Sequence, residues 1–283
     1  MAKMTLDNAR EAIRLLEEID PNDEFAYEKA LWGYKKIALL PGIIYAVEEG
    51  IEVFRTRTHF DDVLFKTVSD ISLPPNEVIK SFARCNRPFQ SKFYCSENRP
   101  TSYMELVDYW LKEKNVGENL YATIGRWRVK RSFTALIVTS PDMQRRVSNF
   151  DRFHGQFLDG YINEQHGEGR EAYTLIYQYL FDKFRKAAKN DPHTYLITSA
   201  YCNIILSMIA QPIDAIYFPS VPFDGQGVNF AFNSEFIQGG NLELLSVLRD
   251  EFEVELDRSG KKSFMQIAGI EAQKIVDGTR IVW

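Results

Sequence analysis

Apolar residues at Leu6, Ala9, Ile13, Leu16 and Ile19 recur every three or four positions, which predicts an amphipathic helix over Leu6 to Ile19, stopped at Asp20-Pro21. A second helix is expected next, with Phe25, Leu31 and Tyr34 on its apolar face; Pro41-Gly42 then breaks the pattern before an apolar segment, Ile43 to Val47, that ends at Gly50. Residues 1–50 therefore read as a helical attachment. From Ile51 the period shortens: Ile51 to Thr58 alternates apolar and polar side chains as a half-buried strand does, and Leu73-Pro74-Pro75-Asn76 reads as a loop. Lys92-Phe93-Tyr94-Cys95 is a short strand between Pro88 and Pro100. Thr101 is expected to cap a helix whose face is Tyr103, Leu106, Val107, Trp110 and Leu111.

Further on, Trp127 to Val138 reads as one or two strands, and Ser140-Pro141 as a helix N-cap with proline behind it. Asp151 to Gly169 has no clear period. Tyr173, Ile176, Tyr177, Leu180, Phe181 and Phe184 mark a strong helix that breaks at Asn190-Asp191-Pro192, because proline disfavours helix in the residue before it. Tyr195 to Met208 is a further helix, Ile213 to Phe218 a buried strand, Asp224 to Gly227 a turn and Val228 to Phe232 another strand; Leu242 to Glu255 is amphipathic. Strands and helices interleave at irregular spacing without repeats, which predicts an α+β fold.

Composition narrows the function. The chain has 283 residues, 45% of them hydrophobic and 13% aromatic, enough for one large domain or two small ones and too apolar for disorder. A net charge of −5 with no basic run argues against affinity for nucleic acid built on counterion release. Three cysteines, Cys85, Cys95 and Cys202, with no CxxC pair, suit a reducing compartment. The acidic first twenty residues lack an apolar signal core, and Tyr195 to Ala210 is too short and too polar to span a bilayer, so a soluble cytoplasmic protein with no membrane partner is the expectation.

The common motifs are missing: no GxGxxG, no P-loop, no HExxH and no GxSxG. The four histidines, His59, His154, His166 and His193, are scattered and read as surface residues, so no metal is expected. Four segments in order stand out instead: Val53-Phe54-Arg55-Thr56-Arg57; Ala83-Arg84-Cys85-Asn86-Arg87-Pro88; Phe93-Tyr94-Cys95-Ser96 running to Thr101-Ser102-Tyr103-Met104-Glu105; and Ile213-Asp214-Ala215-Ile216-Tyr217-Phe218-Pro219-Ser220. With Tyr195, Thr198 and Val228-Asn229-Phe230, this series resembles the RES family over about Ile51 to Phe236.

The resemblance implies an ADP-ribosyltransferase-like fold with an N-terminal helical segment, divided as 1–50, 51–240 (the RES-like catalytic region) and 241–283. It implies an enzyme that cleaves the nicotinamide–ribose bond of NAD+ by hydrolysis or phosphorolysis, typically a bacterial toxin held in check by a proteinaceous antitoxin. A mono-ADP-ribosyltransferase and a non-enzymatic nucleotide- or partner-binding module remain open. Departures from the family pattern are small at Ala83, Cys85, Cys95 and Ser102 and larger in the leader and in an insertion over Asp142 to Gly169.

The resemblance, together with the chemistry it calls for, implies the residues. NAD+ carries a pyrophosphate, and without a glycine-rich loop it needs guanidinium forks: Arg55 and Arg84 are the candidates, with Arg57, Arg87 and Asn86 as further ligands. Cleavage builds positive charge on the ribose, which a carboxylate stabilises; Glu105, opposite the apolar face of its helix, is the catalytic candidate. Tyr94 offers a ring to the nicotinamide, and Ser220, at a strand end, a hydroxyl that orients the substrate or Glu105. Each also has a plain reading: a solvated strand face for Arg55 and Arg57, an ordinary loop arginine for Arg84, a solvent-facing Glu105, a core Tyr94 and a turn serine for Ser220. The apolar stripe of Leu6 to Ile19 must be covered either by its own domain or by another chain, so a homo-oligomer or partner interface is the second possibility there.

Overall fold

A computed structural model describes residues 4–37, 40–59, 61–187, 191–209, 211–222 and 226–283, and of residues 107–110 the backbone alone. The Thr5 hydroxyl accepts the Asn8 N–H and starts α1 (Leu6–Glu17), whose Ala9, Ala12 and Leu16 are buried. In α2 (Ala26–Lys35) the inner face is Ala26, Ala30, Gly33 and Tyr34, whereas Phe25 is exposed. The expected Phe25 face gives way to small residues because the two helices approach closely: a Cβ on Gly33 would lie 2.8 Å from Leu16 Cδ2. Ile43 to Val47, expected within the helical attachment, forms strand β1 (Ile43–Val47), as its branched side chains favour.

β2 (Glu52–His59) lies where alternation places it, and β3 (Lys92–Ser96) where the short strand between Pro88 and Pro100 is expected. Helix α3 (Arg99–Glu113) begins before Thr101: the Asn98 side-chain oxygen accepts from the Thr101 N–H at 2.9 Å and hydroxyl at 2.8 Å, so Asn98 does the capping expected of Thr101. Tyr103, Leu106 and Leu111 of its expected face do turn inward, packing on Leu120, Ala122, Phe252 and Val254; the side chains of Val107 and Trp110 lie outside the described residues. β4 (Asn119–Val129) starts well before Trp127, and β5 (Phe133–Ile137) follows.

Ser140-Pro141 opens no helix. The Ser140 hydroxyl accepts from the Asp142 N–H in a turn, and Ser148 caps α4 (Asn149–Asn163) instead. Periodicity is blurred in α4 because Phe153 and Phe157 stay exposed while Phe150, His154, Leu158 and Ile162 point inward. Then come α5 (Glu168–Arg185), α6 (Pro192–Met208) capped by Asp191, β6 (Ala215–Pro219), β7 (Val228–Asn233) and α7 (Ser234–Gln238). Asn190 and Asp224, named in the expected break and turn, lie outside the described residues. The amphipathic tail is a long strand, β8 (Leu242–Leu256), followed by β9 (Lys262–Glu271), β10 (Lys274–Val276) and β11 (Arg280–Val282).

These elements make a mixed α+β protein of two compact units, each assembled from three stretches of chain: Met1–Val47, Pro75–Lys92 and Phe133–Ala231 in one, Glu48–Pro74, Phe93–Ser132 and Phe232–Trp283 in the other. The expected divisions at 50 and 240 fall close to two of these junctions, but the chain passes back and forth between units in the region treated as one. In the first unit the strand order is β1-β5-β6-β7, with β1 antiparallel and β6 parallel to β5, and α1, α2, α5 and α6 pack together. Its core closes polar ends internally: the Tyr34 hydroxyl donates to the Ile197 carbonyl and Tyr201 to Pro41. In the second unit β3-β2-β4-β8-β9 form an antiparallel sheet, α3 packs on β2, and β10 and β11 form a separate hairpin.

Candidate functional site

Strand β2 sorts its residues by alternation. Thr56 faces α3, where its hydroxyl meets Ser102 Oγ at 2.7 Å, while Arg55 and Arg57 stand on the other face. There both guanidiniums reach one 3-10 turn, Val68–Ile71: Arg55 donates to the Ile71 carbonyl at 3.1 Å and Arg57 to that of Asp70. Arg55 lies 5.4 Å from the Phe93 ring centre and Arg57 4.5 Å from that of Phe65. The Arg55 Nε is buried without a hydrogen-bond partner. Burial pulls the Arg55 guanidinium down to about 10, with Cys95 opposing that shift and Arg57 adding to it, so it stays charged at neutral pH. Among the described residues neither Arg55 nor Arg57 has a carboxylate partner.

Glu105 is half-buried on α3. Because β2 presents Thr56 to that helix, Glu105 belongs to an element on the side of β2 away from Arg55 and Arg57. Tyr94 is half-buried on β3, and the pairing of Phe54 with Ser96 puts it, two residues before Ser96, on the Thr56 side as well. The expected residues of this unit thus form two groups: Arg55 with Arg57, and Tyr94 with the helix that carries Glu105.

The remaining candidates belong to the other unit. Arg84 donates to the carbonyls of Phe184, Lys183 at 3.5 Å and Lys186 at 3.2 Å, the unpaired acceptors at the end of α5, and lies 5.5 Å from the Tyr195 ring. Asn86 is buried in the turn closed by mutual Ala83–Asn86 backbone bonds, its amide donating to the Arg87 carbonyl at 3.1 Å. Arg87 is exposed and lies over Tyr27 at 5.4 Å. Ser220 is fully buried just past β6, its N–H donating to the Gly227 carbonyl at 2.7 Å. Arg84 is therefore a helix-capping residue, a role its sequence neighbours do not advertise.

Two residues outside the expected set share the Arg55 face. His59, two steps beyond Arg57, has Nε2 3.1 Å from Thr123 Oγ1, and its pKa is lowered by burial and by the nearby Arg249 and Arg57. Arg249 pairs across the sheet with Thr123, lies 4.5 Å from the Tyr121 ring and meets Asp62 and Glu251. Alternation beyond Thr58 would have found His59, whereas Arg249 needs the β4–β8 register. The stripe of α1 is covered inside its own unit by α2 and α5, with Glu17 bonded to the Tyr179 hydroxyl.

Among the described residues no group of three or more His, Cys, Asp or Glu side chains could hold a metal ion, and no helix is long and apolar enough to cross a membrane. Compared with protein-family models and with curated proteins, the chain matches none.

Proposed function

We propose that this protein binds NAD+ with its pyrophosphate on Arg55 and Arg57 and consumes it; Glu105, whose helix lies on the other side of β2, is the carboxylate tested for stabilising the developing ribose cation. The observation that carries the reading is the pair of neighbouring guanidiniums on one face of β2, charged, anchored on carbonyls and without a carboxylate partner among the described residues. Such a pair offers planar donors to a doubly anionic group. The chemistry asks little more of the protein. The bond between C1 of the ribose and the pyridinium nitrogen breaks, nicotinamide leaves with both electrons as a neutral molecule, and water or phosphate forms the new bond at C1, a proton going to solvent when water attacks. No group need protonate the leaving ring, so a carboxylate that stabilises the oxocarbenium-like state supplies the main catalytic effect.

In this proposal Arg84, Asn86 and Arg87 carry less weight than the sequence suggests, since Arg84 is engaged on α5. An enzyme of this kind requires restraint in its host, and a proteinaceous antitoxin fits that need. The α1 stripe is not offered as its docking point, nor as a homo-oligomer interface, because α2 and α5 already cover it.

One observation favours a second reading: Arg55 and the helix bearing Glu105 lie on opposite sides of β2, which suits a module that binds a nucleotide without turning it over. Incubation of the protein with NAD+, with products resolved with and without phosphate, separates the two. The expected outcome is release of nicotinamide, reduced at least about a hundredfold by Glu105→Gln with binding retained. Binding without release by the unaltered protein establishes the module, and label from tagged NAD+ on a protein acceptor establishes a transferase.

A further inference from the structure

Strand β9 (Lys262–Glu271) pairs with β8 on one side and, among the described residues, with no strand on the other, so it is an outer edge of the second unit's sheet. Its length between Lys262 and Glu271, Ser263 to Ile270, carries neither a charge nor a proline, two of the devices that keep an edge strand from pairing. Met265, Ile267 and Ile270 on it are 50%, 43% and 45% exposed. We propose that this edge pairs antiparallel with β9 of a second copy of the chain, about a two-fold axis that places Lys262 opposite Glu271 of the partner subunit. The interface is separate from the proposed NAD+ chemistry and does not depend on it.

Charge points to a second copy as the occupant. An antiparallel pairing of β9 with itself sets the basic start of one strand against the acidic end of the other, and the two-fold axis repeats that contact on its other side. Both groups are available for it. Lys262 is exposed and donates to the Leu111 carbonyl at 3.3 Å and the Lys114 carbonyl at 2.7 Å, which leaves the third ammonium hydrogen for a carboxylate. Glu271 is exposed and, among the described residues, has no ion-pair partner. Lys261, also exposed, adds to the positive end.

A bulge lets the two ends meet. Residues directly opposite each other in an antiparallel pair lie on one face of the sheet, whereas in a regular strand two residues an odd number of steps apart, as Lys262 and Glu271 are, lie on opposite faces. Strand β9 is not regular: Gln266 pairs with Phe252 and Ala268 with Glu251, so Ile267 is an extra residue. It returns the two charged ends to a common face, Lys262 opposite Leu256 and Glu271 opposite Leu248, an even number of steps apart on β8. In the same register Ser263 meets Ile270, Phe264 meets Gly269 and Met265 meets Ala268 across the axis, each pair on a common face, and Ile267 lies beside the axis. The irregularity in β9 is thus the one that self-pairing of its two halves requires.

The test is the mass of the full chain in solution, followed by ultracentrifugation. At about 100 µM the protein is expected to sediment at twice the chain mass of 32.8 kDa. Glu271→Lys, at an exposed position, is expected to weaken the dimer at least about tenfold, because Lys262 then faces a like charge on both sides of the axis, and Lys262→Glu combined with Glu271→Lys is expected to regain most of the loss. A nitroxide carried by Ile267→Cys, selective because the native cysteines are buried, is expected to lie within about 20 Å of its twin. A monomer at that concentration overturns the interface, and so does a dimer whose labels lie farther apart. A dimer indifferent to Glu271→Lys overturns the register, and a mass that keeps growing past two chains overturns the closed two-fold. Glu271 and Ile267 are both exposed, so their variants remain informative even where Lys262→Glu, which gives up the carbonyls at the end of α3, proves too unstable to measure.

Discussion

Two arginines that play the same part in the sequence lead different lives in the structure. Arg84 spends its guanidinium on the last carbonyls of α5, where the helix end leaves acceptors unpaired and partial negative charge concentrated. Arg55 makes one bond, to Ile71, keeps a buried Nε without a partner and is desolvated enough to bring it down to about 10. The first cation is consumed in holding a helix. The second stays charged although burial disfavours it, which is the property the proposed NAD+ reading relies on. His154 marks the opposite solution to the same problem. Boxed by Tyr45, Phe150, Phe153 and Tyr217, with its Nδ1 unpartnered, it gives up its charge: burial pushes it from 6.5 to about 4.

The largest expected effect tests that last contrast. Because His154 is neutral in the folded protein down to about 4 but protonates near 6.5 when unfolded, its contribution is complete above pH 6.5 and is lost as pH falls through 4. The loss amounts to about 3 kcal/mol. Urea unfolding at pH 7 and pH 4 should therefore show a gap between the two conditions that shrinks by about that amount in His154→Leu; an unchanged gap would mean that the aromatic box does not hold the ring neutral.

Next comes Arg84→Ala, expected to lower stability by about 2 kcal/mol through the lost charge-assisted bonds to α5, with Arg84→Lys recovering part of it. A variant as stable as the parent but unable to bind NAD+ would reverse the assignment of Arg84 and return it to the phosphates. The smallest effect on stability is expected for Arg55→Met. One bond to Ile71 is lost while the cost of burying a charge is relieved, so the unfolding free energy should change by less than about 1 kcal/mol, with NAD+ affinity falling at least about tenfold. If Arg55→Met instead destabilises as much as Arg84→Ala, the two arginines are alike after all and β2 carries only structural cations.

Reading along the chain recovered what local physics controls. The 3.6-residue period of α1 and α5 and the alternation of β2 follow from which face must be buried, while β3 and β7, buried on both faces, show as short apolar runs; each is visible in a window of ten residues. In α4 the buried face, Phe150, His154, Leu158 and Ile162, is regular, but exposed Phe153 and Phe157 beside it obscure the period in the sequence. Caps were legible as residue types but not as positions: Asn98 and Ser148 did the work expected of Thr101 and Ser140, because a cap is defined by which N–H it meets.

The candidate site shows the same division more sharply. That Arg55 and Arg57 share a face, and that Thr56 does not, is decided by the sequence itself, since side chains alternate along any strand. Which element covers each face is not. Only the packing of α3 against Thr56 separates Glu105 from the Arg55 side, only the end of α5 gives Arg84 its carbonyls, and only the β4–β8 register brings Arg249 beside Thr123. These are pairings between residues tens to more than a hundred positions apart, set by burial and backbone hydrogen bonding across the whole unit, and no local pattern encodes them.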